Sequence, residues 1–598
     1  MVRENGSISI NTENIFPIIK KWLYSEKDIF IRELVSNASD AISKLKKLVA
    51  IGEAEIGSET RFLIKVAVNK EKKTIEIIDN GIGMTEEEVK KYINQIAFSG
   101  AKDFLEKYKD KADEGQIIGH FGLGFYSAFM VAERVQIDTL SWQKDAQPVK
   151  WVSSGGTEYE MDVSERSERG TTVTLYMSDD SVEFLEEFKL REILVKYFSF
   201  LPFEIYLENK AEKEKKGEDN ENEIKPLNDT QPLWLKNPKD CTDDEYKGFY
   251  RKVFHDFNDP LFWIHLNMDY PFNLKGILYF PKLKHEFETM EGQIKLFYNQ
   301  VFVADNIKEV IPEFLMLLKG TIDCPDLPLN VSRSFLQNDG YVNKISAHIT
   351  KKVADKLTAI FENERENYNK YWDDINPFVK YGCIREVKFY EKVKDIVIYK
   401  TTRGDYVTLK DYLLRNNSKH ENKVFYVTDE KQQAQYIRLF NEHDMEAILL
   451  PSMIDNHFIQ FLETKENQIK FSRVDSDISD NMKENPGGED EAANKDSSEK
   501  LEKMFKSALE NESLKVQVEG LKASSIPGMI LLSEQSRRLQ EMSRMFGGAD
   551  MKGMFPDEQT LVLNRNNSLI KLLLGLNDRQ DRKEDVKVIC EQVYDLAM

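Results

Sequence analysis

The chain contains 598 residues, of which 41% are hydrophobic and 31% are charged, and its formal net charge is −20. This length is enough for about three or four domains, and the charge argues against general attraction to nucleic acid or anionic membranes. The 4 cysteines lie far apart without a CxxC pair and the 8 histidines show no metal-ligand spacing, so neither a disulfide framework nor a structural zinc site is predicted.

The N-terminal residues, MVRENGSISINTENIF, lack the apolar core of a signal peptide. No uninterrupted apolar run along the chain approaches the roughly 18 residues that a membrane span needs. We therefore expect a cytoplasmic protein without membrane spans.

Two polar segments divide the chain into pieces of domain size. Residues 208–225 contain almost no apolar side chain, and residues 475–500 are similar and include Pro486. The predicted organisation is an N-terminal domain at 1–207, a charged linker at 208–228, a middle domain at 229–474, a polar linker at 475–500 and a C-terminal domain at 501–598.

The first piece is predicted to combine helices, which extend to about Val49, with a sheet. Alternating apolar residues predict strands at Ser7–Ile10, Phe62–Val68, Thr74–Asp79, Arg134–Thr139, Val149–Ser153, Tyr159–Val163 and Thr172–Tyr176. Helices followed by mostly hairpin-connected strands are typical of an α/β sandwich in which helices cover one face of the sheet.

The middle and last pieces have different patterns. The middle piece mixes strands, such as Lys275–Phe280 and Asp395–Tyr399, with helices such as Asn343–Asn363. The last piece is predicted to be mainly helical after about Lys500.

The helix containing IFIRELVSNASDA sets Glu33, Asn37 and Asp40 in one line. At about 100° per residue, these positions fall within roughly 60° of one another. Asn is a mediocre helix former, so its place inside the helix needs a reason. The stripe is either a solvated polar face or a line of ligand-binding side chains, and other motifs must decide between the two.

Two glycine motifs follow this helix. In DNGIGM, Asp79–Met84, the glycines permit a tight turn where backbone approaches a flat ligand. In GHFGLGFYSAF, Gly119, Gly122 and Gly124 precede an apolar helix, and backbone N–H groups at such a position favour phosphate oxygens. The GxxGxG spacing is not the dinucleotide-binding GxGxxG, and the absence of GxxxxGK[ST] from the sequence excludes a P-loop.

In this order, ExxxN, DxGxG, GxxGxG and the later pair Gly170–Thr171 resemble the ATP site shared by gyrase B, MutL, histidine kinases and the heat shock protein 90 chaperones. IFIRELVSNASDA, IGHFGLGFYSAFMVA and LPLNVSRSFLQ resemble the last family most closely, and the resemblance covers nearly the whole chain. The chain is identified as a bacterial-type member. The implied fold class is α/β (α+β), with an N-terminal α/β sandwich of the gyrase/histidine-kinase-like ATPase type, an α/β middle domain and a mostly helical C-terminal dimerisation domain.

The resemblance assigns roles to the residues of the stripe and the glycine motifs. Asn37 would hold Mg²⁺ through its side-chain oxygen, and Glu33 would orient or deprotonate the attacking water. Asp79 would accept a hydrogen bond from the adenine amino group of ATP with support from Thr171, and Asp40 is left either as structural or as a support for the ligand-binding side chains. The other implied ATP-binding residues are Gly83, Met84, Gly119, Gly122, Gly124 and Phe125.

LPLNVSRSFLQ, Leu327–Gln337, resembles the middle-domain catalytic loop of the family. The resemblance implies that Arg333 contacts the γ-phosphate, for which a guanidinium is well suited, and that Gln337 supports it. The alternative is an arginine that pairs with a local carboxylate. The Gly-rich segment 98–125 is the expected lid, which closes together with the two domains.

Three positions depart from the family pattern. The family often has Asn in place of Tyr92, Lys in place of Phe98 and Gln in place of His120. Phe98 removes a possible cationic contact with the ligand, so the polar shell around the nucleotide is expected to differ here.

The C-terminal piece has two unusual surfaces. Methionines and apolar residues in Ser533–Phe546 and just beyond it form either ordinary core or an adaptable client-contacting surface, and the sequence favours neither. Residues 568–575 and 583–597 form two short apolar-faced helices, which pairing with a second copy would cover. The family likewise implies a homodimer.

The expected function is therefore an ATP-dependent molecular chaperone, a homodimeric clamp acting on unfolded or partly folded client proteins, with other general chaperones as further candidate partners. A sensor-kinase-like enzyme should carry a phospho-acceptor histidine helix beside the ATP domain, and no histidine precedes Glu33. A topoisomerase subunit should show a basic DNA-facing surface. A non-catalytic scaffold would not need Glu33 and Arg333 at their positions.

Overall fold

The computed structural model describes residues 26–57, 61–96, 98–108, 117–119, 122–156, 158–211, 225–282, 293–306, 310–327, 340–476, 483, 491–522, 524–532, 559–576 and 579–597. The chain forms two compact units. The first comprises Met1–Lys282 with Thr289–Thr350, and the second comprises Leu283–Glu288 with Lys351–Met598. In these ranges no helix combines the length and the apolar character needed to cross a membrane.

The first unit opens with a 7-stranded sheet in the order β5-β4-β3-β6-β2-β1-β7. Neighbouring strands are antiparallel, except that β7 lies parallel to β1. The strands are β1 Leu63–Asn69, β2 Thr74–Asp79, β3 Ala132–Leu140, β4 Val149–Ser153, β5 Glu160–Val163, β6 Gly170–Met177 and β7 Glu204–Asn209.

Helices cover this sheet because each carries an apolar stripe. Phe30, Val35 and Ile42 are fully buried on the first helix and share a core with the strand residues Ile64 and Ile75. The helices are α1 Ile29–Ala50, α2 Glu86–Tyr92, α3 Gly100–Lys107 and α4 Glu187–Phe198, with 3-10 helices at Gly124–Met130 and Asp179–Leu185. This arrangement confirms the predicted α/β sandwich.

β7 was not predicted from the sequence. It ends at Asn209, so residues 208 and 209, at the start of the charged segment, belong to the sheet. A parallel edge strand has no hairpin partner beside it in the sequence, which removes the local signal by which the other strands were recognised.

A second sheet of 5 strands, in the order β11-β10-β12-β9-β8, completes the first unit. Phe200, which precedes β7, packs edge-on against Trp234 with 4.7 Å between ring centroids, and Trp234 lies 5.2 Å from Phe297 of the second sheet. One core therefore joins the two sheets. The elements are α5 Asp243–Phe254, β8 Phe262–Met268, β9 Leu274–Phe280, β10 Ile294–Tyr298, β11 Val301–Asp305 and β12 Lys319–Asp323.

The second unit contains three small sheets, and it shares the helix α6 Gly340–Asn363 with the first unit, because the division falls after Thr350. Its other helices are α7 Arg365–Arg385, α8 Val387–Val393, α9 Leu409–Asn416, α10 Ala434–Glu442, α11 Met453–Lys465, α12 Glu491–Ala508, α13 Ser568–Leu576 and α14 Lys583–Ala597. Its strands are β13 Ile398–Lys400, β14 Tyr406–Thr408, β15 Lys423–Val427, β16 Ile448–Leu449, β17 Lys470–Arg473, β18 Lys515–Glu519, β19 Gly528–Leu532 and β20 Gln559–Asn564.

Two details of this unit differ from the sequence prediction. The strand expected at Asp395–Tyr399 begins only at Ile398, after a 3-10 turn at Lys394–Ile396. The last piece is mostly helical, as predicted, but its helices pack on the sheet β18-β20-β19, which the sequence analysis did not include. The strands β18 and β20 are parallel and far apart in sequence, so no hairpin pattern marks them.

A buried ion pair joins α7 to α11. The Lys380 ammonium contacts Asp455, and the two side chains are 4% and 2% exposed. Lys380 also donates to Asn376, and Asp455 accepts from the backbone N–H of Ser452 at the start of α11. Such a pair depends on both partners, because a single buried charge left alone keeps its full desolvation cost.

We predict that Lys380→Met lowers the free energy of unfolding of the second unit by about 3–5 kcal/mol, since it leaves Asp455 buried without its cation. Denaturant unfolding of the full chain measures the change. Lys394→Met is the matched control: Lys394 pairs with Glu391 on the surface, and the loss of stability should be much smaller. Equal losses in the two variants would contradict the assignment.

Candidate functional site

A cavity of about 580 Å³ in the first unit brings the predicted nucleotide-binding residues together. Its walls come from α1, the turn after β2, α3 and the glycine motif before the first 3-10 helix. The predicted site residues that line it are Glu33, Asn37, Asp79, Gly83, Met84, Gly119, Gly122, Gly124, Phe125 and Thr171. Arg333, Gln337 and His120 lie outside the described residues.

The polar stripe of α1 faces this cavity, while its apolar side enters the core. Glu33 is 3% exposed and accepts hydrogen bonds from the Arg32 guanidinium at 3.2 and 3.3 Å. A Cβ at Gly124 would lie 2.5 Å from the Glu33 carboxylate. Glycine at position 124 therefore leaves the room that this buried carboxylate occupies beside the cavity.

Asp40 explains the third position of the stripe. Its two carboxylate oxygens accept hydrogen bonds from the backbone N–H groups of Ile118 and Gly119, both at 2.7 Å. Asp40 thus fixes the start of the glycine motif against α1, next to Asn37. From the sequence, Asp40 is either structural or a support for the ligand-binding side chains, and its observed contacts are with the backbone.

Asp79 lies at the end of β2 and is 5% exposed. Its carboxylate accepts a hydrogen bond from the backbone N–H of Gly81 at 2.8 Å. Burial raises the pKa of Asp79 from 3.8 to about 7, although the Gly81 hydrogen bond, the charges of Arg166 and Arg169 and the backbone of Thr171 oppose the rise. The cavity therefore contains a carboxyl group that titrates near neutral pH.

The turn after Asp79 fits its surroundings only with glycine. Gly83 has a φ of +64°, and a Cβ there would lie 1.9 Å from the carbonyl oxygen of Leu140. The next residue, Met84, donates its backbone N–H to the Thr139 hydroxyl at 2.9 Å. That hydroxyl is also 2.9 Å from the Thr171 hydroxyl, so Thr139 links the turn to β6. Thr139 was not predicted from the sequence, because its place on β3 carries no motif.

Lys44 is a second cavity residue that was not predicted from the sequence, although it continues the stripe of α1. It lines the cavity, and burial lowers its pKa, while Asp40, Glu88 and Asp103 oppose that shift by charge. A half-buried lysine at the end of a line of acidic and amide groups provides a cation for an anionic ligand.

Lys91 supplies another cation at the wall where Phe98 stands. Its ammonium lies 5.0 Å from the Phe98 ring centroid and 5.4 Å from that of Tyr92, and it pairs with Asp103. The two rings stack with centroids 6.0 Å apart. The expected loss of a cationic contact at position 98 is thus accompanied by a lysine on the neighbouring helix, and all four residues line the cavity.

Comparison with known proteins agrees with this geometry. Residues 25–168 match the family model described as "Histidine kinase-, DNA gyrase B-, and HSP90-like ATPase", and residues 208–598 match the model "Hsp90 protein". The first match defines the class, a nucleotide-binding domain of the ATPase type. The second match covers more than half of the chain.

Close relatives carry the same assignment. The chain is 44% identical over 581 residues to the chaperone protein HtpG of Bacteroides thetaiotaomicron, a match that covers 96% of this chain and 84% of the relative. It is 42% identical to the HtpG of Porphyromonas gingivalis with the same coverage, and 31% identical to that of Alkalilimnicola ehrlichii over 96% of this chain and 91% of the relative.

The chain belongs to the Hsp90 family. It is accordingly an ATP-dependent chaperone. The other ATPases of the superfamily, such as gyrase B, MutL and the histidine kinases, are not favoured, because the Hsp90 model accounts for the whole chain after residue 208.

We predict that Asp79→Asn stabilises the ligand-free first unit at pH 8 by up to about 4 kcal/mol, because the buried carboxylate no longer has to ionise. The folded-state pKa of Asp79 lies above its unfolded value, so its burial costs nothing at low pH and the cost appears as pH rises toward about 7. The gain should therefore shrink as pH falls and vanish near pH 4. Hydrogen exchange of the α1 and β2 amides in the full chain measures it.

Asp162→Asn is the matched control, because Asp162 is an exposed aspartate on β5 of the same sheet. Its effect on protection should be small at every pH. An Asp79→Asn protein that is less protected than wild type at pH 8 would contradict the assigned cost of burial.

Proposed function

We propose that the cavity binds ATP with Mg²⁺ and that this chain hydrolyses ATP to drive closure of a homodimeric clamp on unfolded or partly folded client proteins. One observation carries the proposal. An adenine-reading carboxylate, a metal-ligating amide and a candidate catalytic carboxylate, namely Asp79, Asn37 and Glu33, line a single cavity large enough for a nucleotide.

The orientation of the nucleotide follows from the chemistry of the walls. Asp79 accepts from the adenine amino group, and Thr171 supports this contact from β6. The backbone of Gly119, Gly122 and Gly124 borders the phosphates at the opposite side, where α1 carries its polar stripe. Lys44 and Lys91 line the same cavity and attract the anionic part of the ligand.

Asn37 and Glu33 divide the chemistry of hydrolysis. Mg²⁺ is commonly held by one or two protein oxygens together with phosphates and water, so the single amide oxygen of Asn37 suffices once ATP supplies the rest. Glu33 stands one turn earlier on α1 and orients or deprotonates the attacking water. Arg32, which donates to Glu33, fixes the carboxylate in its position.

Arg333 and Gln337 complete the proposed site from the middle domain, by contact with the γ-phosphate. A contact within the described residues supports communication between the two parts of the first unit. The Asn299 side chain, in the turn between β10 and β11, donates to the carbonyl of Ile117 at 3.3 Å, directly before the segment that Asp40 holds. This contact supports the proposal that closure of the lid, segment 98–125, is coupled to the second sheet.

The last two helices support a homodimer. One side of α13 and α14 packs in the core of their own unit, where Ile570, Leu573 and Val593 are fully buried. The other side leaves Leu572 51% and Leu596 66% exposed. Pairing of these exposed sides with a second copy would cover them in a four-helix arrangement.

Several finer assignments belong to the same proposal. The domain limits 1–207, 229–474 and 501–598, with linkers at 208–228 and 475–500, remain predictions, and other general chaperones are candidate partners. The surface at Ser533–Phe546, predicted as either core or a client contact, lies outside the described residues. The cysteines in the described ranges are free, and 3 of them are buried, which fits a reducing compartment such as the cytoplasm.

We predict that Glu33→Ala binds ATP with almost unchanged affinity and hydrolyses it about 100-fold more slowly or worse, because it removes the group that activates water but no contact with adenine. Calorimetry and steady-state turnover measure the two quantities. Glu86→Ala is the control, since Glu86 is an exposed carboxylate of α2 that pairs with Lys90. Asp79→Asn should differ from Glu33→Ala, because it should abolish the binding of ATP. Loss of binding in Glu33→Ala would remove Glu33 from the catalytic role.

We predict that the double variant Leu572→Glu/Leu596→Glu is a folded monomer that binds nucleotide and has depressed ATPase activity. The substitutions place charges on the exposed sides of α13 and α14 and leave their buried sides intact. Sedimentation at several protein concentrations measures the oligomeric state. Leu414→Glu, at a 68% exposed leucine of α9, is the control and should sediment as wild type does. A double variant that remains dimeric would refute the proposed interface.

A further inference from the structure

Two arginines hold the turn that carries Asp79, although neither lines the cavity. The Arg166 guanidinium donates to the backbone carbonyl of Asp79 at 3.0 Å and to the Thr172 hydroxyl at 2.5 Å. Its Nε donates to the carbonyl of Glu168 at 2.8 Å, which fixes the guanidinium within its own loop. Arg166 therefore connects the end of β2 with the start of β6.

Arg169 holds the next two residues of the turn. Its Nε donates to the carbonyl of Gly81 at 3.1 Å, and its Nη2 donates to the carbonyl of Asn80 at 3.1 Å. Together with Arg166 it thus binds three consecutive carbonyl groups, those of positions 79, 80 and 81. Each bond has a charged donor, which makes it stronger than a bond between neutral groups.

The backbone brings the arginines to this turn. Asp79 pairs with Thr171 in the antiparallel ladder of β2 and β6, so the loop that precedes β6 lies over the residues that follow β2. Gly170 has a φ of +116°, and a Cβ there would lie 2.1 Å from the carbonyl oxygen of Asp79. The close approach at Gly170 places the two guanidinium groups beside the turn.

The same arrangement acts on the Asp79 side chain. Arg166 and Arg169 are half-buried, and burial lowers their pKa values, but a guanidinium stays protonated in proteins. Their charges favour the ionised form of Asp79 against the burial that disfavours it. Among charged side chains, these two arginines have the largest effects on this carboxyl. The other titratable residues that line the cavity are Glu33, Asp40, Lys44, Glu88, Lys91, Tyr92, Asp103, Lys107 and Tyr108.

We propose that Arg166 and Arg169 are positioning residues for adenine recognition, which fix the turn at residues 79–81 and place two positive charges beside Asp79. A charged acceptor binds the adenine amino group more strongly than a neutral carboxyl group does. This inference rests on the proposed function, because it requires that Asp79 contacts adenine.

The test compares ADP affinity across pH in the full-length protein. Arg166→Gln and Arg169→Gln are measured beside wild type by calorimetry from pH 6 to pH 9. The matched control is Arg134→Gln, because Arg134 is an exposed arginine of β3 whose guanidinium lies over the Tyr176 ring of the same sheet. Protonation of ADP affects every protein equally, so it cancels in the ratio of each variant's Kd to the wild-type Kd at the same pH.

We expect the ratio of the variant Kd to the wild-type Kd to be largest at pH 6 and to decline toward pH 9. Loss of a positive charge raises the pKa of Asp79. At pH 6, the fraction of protein in which Asp79 is ionised therefore falls by about tenfold for each pH unit by which that pKa rises. At pH 9 Asp79 is ionised in both the variant and the wild-type protein, and only the smaller loss of ADP affinity that a less fixed turn causes remains. The ratio for Arg134→Gln should stay near one throughout.

A further variant separates charge from geometry. Arg166→Lys keeps the positive charge but loses the planar fork that reaches the Asp79 carbonyl and Thr172 together. It should retain the wild-type pH profile with a uniformly weaker affinity. It also serves as the folded comparison if Arg166→Gln does not fold.

Two results would overturn the inference: a ratio for the glutamine variants that is constant with pH, or a pH profile of Arg166→Lys that matches Arg166→Gln. A wild-type protein that does not bind ADP would instead refute the proposed function, which keeps the two failures distinct.

Discussion

Burial of one carboxylate is the constraint on which the nucleotide site depends. Asp79 ends a central strand, where solvent exclusion opposes its charge, and the fold compensates with the Gly81 amide and two arginines from the neighbouring loop. The backbone approaches closely at Gly83 and Gly170 because the turn after Asp79 lies against the ends of β3 and β6. The site is therefore built into the sheet where β2 ends and β6 begins, and it is not a set of side chains placed on an independent scaffold.

The opposite wall of the cavity also combines structural residues with residues that face the ligand site. α1 buries an apolar face in the sandwich core and presents one line of polar groups to the cavity. Glu33 faces the site with Arg32 as its partner, Asn37 follows one turn later, and Asp40 holds the backbone that closes the cavity. One helix thus combines structural support with the residues proposed for metal binding and hydrolysis, which couples the integrity of the core to the chemistry.

The features that could be predicted from the sequence are those that neighbouring residues of one element or turn determine. The strand Thr74–Asp79, the stripe on α1 and both glycine motifs were recognisable because their spacing reflects one element or one turn, and their joint order pointed to the family. Features that depend on distant segments were missed: the parallel edge strand Glu204–Asn209, the C-terminal sheet and the two arginines of the loop before β6. Nothing in the spacing of Arg166 reveals that its guanidinium meets a carbonyl 87 positions earlier in the chain.

The stacked pair Tyr92 and Phe98, with Lys91 above both rings, has a pharmacological consequence. A competitive inhibitor that carries a flat aromatic group at this wall would find π surfaces to stack on, and an added carboxylate would find the Lys91 ammonium beside them. Relatives with Asn and Lys at these two positions offer an amide and a flexible cation instead. Compounds built to exploit the aromatic wall should therefore discriminate this chain from such relatives.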